Sequence, residues 1–281
     1  MALEVKIYQK ENNIKIGRLI KDSLSDIYTS RFLAKQLAVR DISAQYRQSF
    51  LGVLWAFITP LTTAFVWILL SATGTIRLSD TGIPYPVYVF SGTLIWSIIT
   101  EAINTPTITT NAAKGMMTKI NFPKEALIIS GIYKLLFNSS IKIGILLILV
   151  FLYGVGFHWS LFLLPLAILG AILFGTTIGL FISPIGMLYS DIAKIISLTL
   201  RLLMYITPVV YVIPKEGVMK TIMQWNPFTP LILTTRDFII GASPEYITYY
   251  LWIMVVCIPL FFLGLIFYRI SIPILVERMS A

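Results

Sequence analysis

Long apolar runs separated by short charged segments dominate the pattern of hydrophobic and polar positions along this chain. A helix needs roughly 20 residues to cross the hydrocarbon core of a bilayer. Six runs reach about that length, and they cover residues 50–76, 87–108, 126–157, 161–188, 192–212 and 247–268. The pattern therefore predicts an all-α polytopic membrane protein with six transmembrane helices.

The residues before the first run follow two other patterns. Between Ser23 and Tyr46 apolar side chains recur at roughly helical spacing, which is typical of an amphipathic helix at a membrane interface and also of a soluble helix packed on a partner. Residues 1–20 alternate apolar and polar side chains in two short patches, which favours strands or an extended arm. We therefore divide the chain into a cytoplasmic N-terminal arm with an interfacial helix (1–49) and a transmembrane domain (50–281).

Two features of the runs predict how the helices are arranged. In the fourth run Gly175, Gly179 and Ser183 recur at four-residue spacing, which suits close packing against another helix.

Residues 213–246 contain four prolines and six charged residues, so this segment is too interrupted to cross a bilayer easily. Because irregular backbone at membrane depth must be shielded by protein, we predict a pair of short helices, re-entrant or interfacial, joined at Asn226 and Pro227.

The basic residues predict the orientation. With a cytoplasmic N-terminus and six crossings, sixteen Lys and Arg residues lie on the inner side and four, Arg236 among them, on the outer side. This bias follows the positive-inside rule and places both termini in the cytoplasm. The net charge of +9 is then a topology signal facing anionic lipid, and we expect no nucleic-acid partner.

Several kinds of chemistry lack the residues they need. A phosphate-binding loop contains a Gly-Lys pair, and the chain has none, so it is not a P-loop ATPase by itself. The single Cys257 excludes an intrachain disulfide, and the single His158 argues against a zinc site or a His-dependent active site. We therefore expect no catalytic residue, no bound cofactor and no metal in this chain.

Among the charged residues within predicted spans, Lys134, Lys142 and Glu101 are candidates for function, because charge there is costly. A lysine at mid-span costs about 3 kcal/mol unless it faces protein or water. Lys134 and Lys142 are eight residues apart, so they share about one face of their helix and could line a hydrated pathway, although Lys134 could instead extend toward the headgroups. Glu101 is the acidic residue well inside a span, and a proton-coupled carrier would have to use it.

The chain changes from charged to apolar between Arg47 and Leu51, which indicates a helix that leaves the interface and turns into the bilayer. Gly52 and Pro60 are the expected hinges. On the same predicted cytoplasmic side, Phe122 and Pro123 end one helix and begin the next. This connector, and the turn at residues 189–192, either dock a soluble motor or are solvated loops.

Several motifs resemble those of one transporter family. The runs RDI at residues 40–42 and YRQSFLGVLWA at 46–56, with Pro60, resemble the start of span one in permease subunits of type-two ABC exporters, especially exporters of O-antigen, capsule-like polysaccharide or teichoic acid. Residues 111–125, ending in FPKE, resemble the first cytoplasmic loop of that family. YSDI at 189–192 is similar to its aromatic-Arg-Asp-Ile turn, with Ser190 in place of Arg. TPVVY at 207–211 and NPFTP at 226–230 resemble the end of span five and the periplasmic re-entrant hairpin, and the resemblance covers about residues 40–268.

The resemblance implies a half-transporter in the bacterial inner membrane. Two copies of this chain would form a channel for a lipid-linked polysaccharide, and two copies of a separate ABC ATPase subunit, which binds ATP and Mg, would drive it. The residues expected to couple to that ATPase are Arg40, Asp41, Arg47, Lys119, Phe122, Pro123 and Asp191. Asn226 and Pro227 would form a periplasmic gate.

A sliding glycan chain is expected to stack its sugar rings on aromatic side chains. The candidate lining residues are Trp55, Trp67, Tyr88, Trp96, Tyr133 and Tyr205, although Trp and Tyr also collect at membrane interfaces. Lys134 and Lys142 would meet a lipid-linked pyrophosphate, and Glu101 completes the set. Three alternatives stay open at this point: a related permease for a drug or glycolipid, a proton-coupled carrier that uses Glu101, and a membrane-embedded transferase.

Overall fold

The computed structural model describes residues 16–47, 49–74, 81–189 and 191–280, and none of these residues forms a strand. The helices are, in chain order, α1 (Ile16–Thr29), α2 (Arg31–Arg47), α3 (Trp55–Ala72), α4 (Tyr85–Ala112), α5 (Lys114–Met117), α6 (Glu125–Leu152), α7 (Leu164–Leu188), α8 (Asp191–Tyr205), α9 (Val218–Trp225), α10 (Phe228–Ile240) and α11 (Ile247–Ser280). Short 3-10 turns at Gly52–Leu54 and Trp159–Leu163 lead into α3 and α7. The all-α prediction is confirmed for this part of the chain.

Five helices among the described residues are long and apolar enough to cross a membrane. They cover Gly52–Ala72, Tyr85–Ala112, Glu125–Leu152, Trp159–Leu188 and Ile247–Glu277. Each coincides with one of the six predicted spans, although α4 and α11 extend beyond the apolar runs that predicted them. At 1.5 Å per residue the 34 residues of α11 measure about 51 Å, so this helix is longer than a hydrocarbon core of about 30 Å.

The remaining predicted span, residues 192–212, is only partly helical. Helix α8 ends at Tyr205 after 15 residues, about 22 Å, and residues 206–211 form turns. Pro208 gives the physical reason, because it has no N–H to donate to the carbonyl of Met204 and its ring crowds the preceding turn. The predicted boundary at residue 212 is therefore wrong by seven residues.

The N-terminal prediction also needs correction. Residues 16–20, which the alternating pattern assigned to an extended arm, belong to α1, while residues 1–15 lie outside the described residues. The single helix predicted between Ser23 and Tyr46 is a pair of helices that meet at Ser30. The Ser30 hydroxyl donates a hydrogen bond to the carbonyl of Asp26 at 2.6 Å, in addition to the bond from the Ser30 N–H at 2.9 Å, and this back-bonding bends a helix. The position of these helices at a membrane interface stays a prediction.

The core is built where α4 and α7 pack along each other. A Cβ atom at Gly175 would lie 2.6 Å from the Cβ of Ala102 and 2.7 Å from the carbonyl oxygen of Ile99, so only glycine allows this approach. Gly179 meets the carbonyl of Ile103 in the same way. The small-residue stripe predicted for the fourth run is therefore the contact face of α7.

Helices α4, α7 and α11 run parallel to one another, and α6 runs antiparallel to α4. The contact of Tyr250 with Ala167 near the starts of α11 and α7 defines what we call the distal end of the bundle. The pairing of Arg269 with Asp26 and Glu125 defines the proximal end, where the N-terminal helices lie. Because α7 and α11 are parallel, residues 189–246 lead the chain from the proximal end back to the distal end.

Two helices leave most of their surface uncovered in the single chain. Among the described residues of α3 only Ala64 is buried, and among those of α8 only Leu200 is buried. Large apolar side chains such as Phe65 (61% exposed) and Leu202 (60%) line these faces. Such faces require lipid or another protein surface around them.

Candidate functional site

A cavity of about 390 Å³ lies between α2, α3, α4 and α6, with Met204 of α8 also in its lining. Its uncharged polar lining consists of hydroxyl and amide side chains, namely Gln45, Tyr46, Thr59, Thr63, Thr93, Ser97, Thr100 and Asn138. The indole rings of Trp55 and Trp96 belong to its apolar lining. Concave sites of this kind bind ligands through apolar faces and orient them through a few polar groups.

An ion pair between Lys142 of α6 and Glu101 of α4 lies in this cavity. The Lys142 ammonium donates hydrogen bonds to the Glu101 carboxylate and, at 3.1 Å, to the Ser97 hydroxyl. The Lys142 side chain is 12% exposed and that of Glu101 is 38% exposed. Each charge therefore offsets the cost of holding the other inside the bundle, and the cavity as a whole is close to neutral.

Helix α2 closes one side of the cavity with Tyr46. The Tyr46 hydroxyl is 3.5 Å from the Asn138 side-chain oxygen, and Asn138 lies one helical turn before Lys142 on α6. Burial raises the pKa of Tyr46 above its usual range, and the Glu101 carboxylate raises it further. The phenol is therefore neutral and acts as a hydrogen-bonding group rather than as a charge.

The structure brings together only part of the predicted pathway. Trp55, Trp96, Glu101, Lys142 and the predicted hinge Pro60 all line the cavity. The lining of this cavity does not include Trp67, Tyr88, Tyr133, Lys134 or Tyr205. The roles of all these residues in substrate transfer stay predictions.

Trp96 and Trp55 both line the cavity but differ in how exposed they are. Trp96 is 7% exposed and its ring packs 5.4 Å from the ring of Phe228, so it is held in the core. Trp55 is 50% exposed at the start of α3. Trp55 therefore offers the more accessible ring to a ligand entering the cavity.

Arg236, counted as an outer-side charge on the basis of sequence, is in fact buried and only 2% exposed. Its guanidinium donates to the carbonyls of Val209 (2.6 Å) and Pro208 (3.2 Å) and lies 3.7 Å from the ring centroid of Tyr88. These carbonyls lie in the turn that follows α8, where no helix supplies donors. Arg236 therefore holds the distal end of α8 against α4. The signal in the sequence was an Arg-Asp pair within the otherwise uncharged run 228–240.

Gly92 makes the approach of Arg236 possible. A Cβ atom at Gly92 would overlap the carbonyl oxygen of Val209 and the Arg236 guanidinium. Sequence analysis did not single out this glycine, because its requirement arises from residues more than 100 positions away.

The junction predicted at Asn226 and Pro227 is where α9 ends and α10 begins. The Asn226 side chain donates to the Thr207 hydroxyl (2.8 Å) and to the carbonyl of Ile206 (3.1 Å), and its oxygen accepts from the N–H of Phe228 (3.0 Å). Asn226 thus joins the helix pair to the turn after α8. A gating role for this junction stays a prediction.

The residues predicted to couple to an ATPase lie on or near exposed surface. Arg40, Arg47, Lys119 and Asp191 are exposed, while Asp41, Phe122 and Pro123 are half-buried. Arg40 pairs with the adjacent Asp41 at 2.8 Å, and Asp191 pairs with Lys194 at 3.5 Å. The Lys124 ammonium lies 4.4 Å from the ring centroid of Phe122, and burial lowers the pKa of Lys124, an effect that Glu125 opposes.

The predicted hinge at Gly52 begins the 3-10 turn that leads into α3. Its φ angle is +50°, in the left-handed region, and the space where a Cβ would lie is open. The backbone angle rather than crowding therefore favours glycine at this position.

Comparisons with known proteins agree with the resemblance found in the sequence. The family model described as ABC-2 type transporter matches residues 33–240. A Myxococcus xanthus protein named O-antigen export system permease protein RfbA is 27% identical over 210 residues, which cover 74% of this chain and 80% of that protein. Two Klebsiella pneumoniae proteins of the same name are each 23% identical, over 74% and 80% of this chain and 80% and 87% of their own lengths. The family match spans most of the chain, and the protein is therefore a member of the ABC-2 type transporter family.

Proposed function

We propose that this chain is the transmembrane subunit of an ATP-driven exporter that carries a lipid-linked polysaccharide, such as an O-antigen, a capsule-like glycan or teichoic acid, across the bacterial inner membrane. The observation that carries the proposal is the similarity to three proteins named O-antigen export permeases, over most of both chains. The family match makes the chain a membrane transport subunit in general, and the energy source and the substrate are our inference.

The cavity around Lys142 supports a glycan as the substrate. Its hydroxyl and amide groups offer hydrogen bonds to sugar hydroxyls, and the exposed Trp55 ring offers a flat apolar face on which a sugar ring stacks. Since Glu101 already balances Lys142, a largely neutral, hydroxyl-rich chain fits without leaving a charge unpaired. A drug permease would call for a lining with fewer hydrogen-bonding groups. In a proton carrier, protonation of Glu101 would break its ion pair and leave the Lys142 ammonium unbalanced in the cavity.

The proposed partners are an ATPase and a second copy of this chain. It has no phosphate-binding loop, so a separate pair of ABC ATPase subunits would hold ATP and Mg and would dock at the proximal end, where Arg47, Lys119 and Asp191 are exposed. A second copy of the chain would cover the apolar faces of α3 and α8 and complete the channel.

The parallel arrangement of α7 and α11 supports six crossings. The chain must return from the proximal to the distal end between these two helices, and α8 with the turn at residues 206–211 would make that crossing. We place the proximal end in the cytoplasm, because the positive-inside rule assigns α1 and the end of α11 to that side. Helices α9 and α10 would then form the re-entrant pair near the periplasmic surface.

The test is purification of the tagged permease in detergent from its own cells, followed by reconstitution into proteoliposomes with lipid-linked glycan extracted from the same cells. We expect an ABC ATPase to co-purify and glycan transfer to require ATP. A matched preparation whose ATPase subunit carries an inactivating substitution should bind but not transfer. Transfer that persists without ATP and without any bound ATPase would overturn the proposal.

A further inference from the structure

The loop of residues 113–124, which we call the proximal loop, is fixed at both of its ends to consecutive residues of α11. It contains the short helix α5 and connects α4 to α6. At its tip Lys119 and Ile120 are exposed, Ile120 to 58%. The tip is therefore open to a partner while the two ends are anchored inside the protein.

The end of the loop that leads into α6 is anchored by Arg269. The Arg269 guanidinium pairs with Glu125, the first residue of α6, at 2.5 Å. Glu125 is 2% exposed and also accepts a hydrogen bond from the Ser23 hydroxyl of α1 at 3.1 Å. A buried carboxylate depends on its cationic partner, because the charge is otherwise uncompensated. The position of Glu125 is therefore tied to that of Arg269.

The same guanidinium reaches the N-terminal helices. One of its nitrogens, Nη1, lies 2.7 Å from the Asp26 carboxylate and 3.3 Å from the Ser23 hydroxyl, both on α1. A single nitrogen thus joins α1, the start of α6 and α11. These three elements are separated by about 100 residues or more in the sequence.

The other end of the loop is anchored by the preceding residue of α11, Tyr268. Its side chain is fully buried, and its hydroxyl lies 2.6 Å from the Thr110 hydroxyl in the last turn of α4. The Ser183 hydroxyl of α7 donates to the same Thr110 oxygen at 3.4 Å. The proximal loop therefore begins and ends at contacts with neighbouring residues of one helix.

We infer that Tyr268 and Arg269 transmit displacement of the proximal loop to α11 and, through Asp26, to the N-terminal helices. This inference rests on the proposed function, because the displacement would come from a docked ATPase that moves against the exposed tip of the loop. Arg269 acts here as a positioning residue. Its polar partners, Ser23, Asp26 and Glu125, belong neither to the cavity lining nor to the residues expected to couple to the ATPase.

The first test uses the full-length permease alone and needs no ATPase. Asp26→Asn removes the ion pair between Arg269 and α1 while the Ser23 contact remains, and Asp22→Asn, an exposed position one turn earlier on the same helix, is the matched control. Hydrogen-deuterium exchange should become about threefold faster in the proximal loop as well as in α1 for Asp26→Asn, and should change in neither for Asp22→Asn. Exchange that changes in α1 alone would show that the contact is local and would overturn the inference.

The second test uses the complex with its ATPase in proteoliposomes. Arg269→Gln should lower the glycan transferred per ATP hydrolysed about tenfold while hydrolysis continues, and Arg269→Lys, which keeps the cation, should retain most of the coupling. The double variant Glu125→Gln/Arg269→Gln leaves no buried charge unpaired, so it keeps the measurement valid if Arg269→Gln alone folds poorly. Unchanged coupling in the double variant would overturn the inference.

The two tests separate this inference from the proposed function. If the wild-type complex transfers no glycan with ATP, the proposed function fails while the exchange experiment still decides whether Arg269 connects the loop to α1. If transfer is normal and exchange stays local, the proposed function stands and the inference fails.

Discussion

Lys142 and Glu101 meet across the interface between α6 and α4, with the Ser97 hydroxyl as a second partner of the lysine. Neither charge is free in the cavity, so a ligand meets a neutral pair rather than an isolated cation. This relationship changes what substitution of either residue should do, because each variant leaves the other charge unbalanced.

Lys142→Met should reduce glycan export about tenfold while assembly of the proposed dimer stays intact. The substitution removes a charged hydrogen bond worth about 2 kcal/mol and leaves the Glu101 carboxylate without its partner. The double variant Glu101→Gln/Lys142→Met should fold more stably than Lys142→Met alone, since no charge is left unpaired. Export is measured in proteoliposomes and assembly by size-exclusion chromatography. Normal export by Lys142→Met would remove this residue from the pathway.

Trp55→Leu should lower the export rate roughly fivefold, because loss of ring stacking is worth about 1 kcal/mol. Trp252→Leu is the matched control, since Trp252 is 65% exposed on α11 and does not line the cavity. Both rates are measured with the same glycan. Equal rates for the two variants would mean that the Trp55 ring does not contact the glycan.

Arg236→Gln should lower the free energy of unfolding by about 3 kcal/mol. The shorter side chain leaves the carbonyls of Pro208 and Val209 without their donors, and each buried unsatisfied group costs about 1–3 kcal/mol. Gly92→Ala should destabilise the protein by a similar route, because its Cβ would displace the same groups. The exposed Lys215→Gln serves as the control in thermal unfolding in detergent. A melting temperature for Arg236→Gln equal to that of the control would mean that Arg236 does not stabilise the turn after α8.

Gly52→Val should uncouple ATP hydrolysis from export. A β-branched residue at φ +50° is strained by about 1–2 kcal/mol, so the turn that leads into α3 would change its backbone conformation. Gly144→Ala is the control, because Gly144 is helical and open space surrounds it. The ratio of glycan transferred to ATP hydrolysed is the readout. If the ratio is the same in both variants, Gly52 is an anchor point rather than a hinge.

The features that sequence analysis predicted well are those that a local pattern determines. The spacing of Gly175 and Gly179 predicted a close helix contact without naming the partner, and Asn226-Pro227 marked the junction of two short helices. The end of α8 was missed because hydropathy treats residues 192–212 as one run, although Pro208 was visible. A hydropathy profile reports side-chain polarity, whereas α8 ends because the backbone nitrogen of Pro208 has no hydrogen to donate.

The candidate site could be predicted only residue by residue. Glu101 and Lys142 were singled out separately, but their pairing depends on the register of α4 against α6, which no local pattern encodes. The burial of Arg236 depends in the same way on carbonyls of residues 208 and 209 and on the ring of Tyr88. The register of one helix against another depends on residues far apart in the chain and cannot be read from the sequence alone.

Because α3 is sparsely packed, the helices that line the cavity differ in how tightly the rest of the chain holds them. On one side α4 is locked to α7 by glycine contacts that tolerate no added atom, while α3 buries only Ala64 among its described residues. Displacing α3 outward would break few side-chain contacts within the chain. The cavity can therefore widen by outward movement of α3, while α4 keeps Glu101 and Ser97 in place. A bulky chain could then pass without disturbing the packed core between α4 and α7.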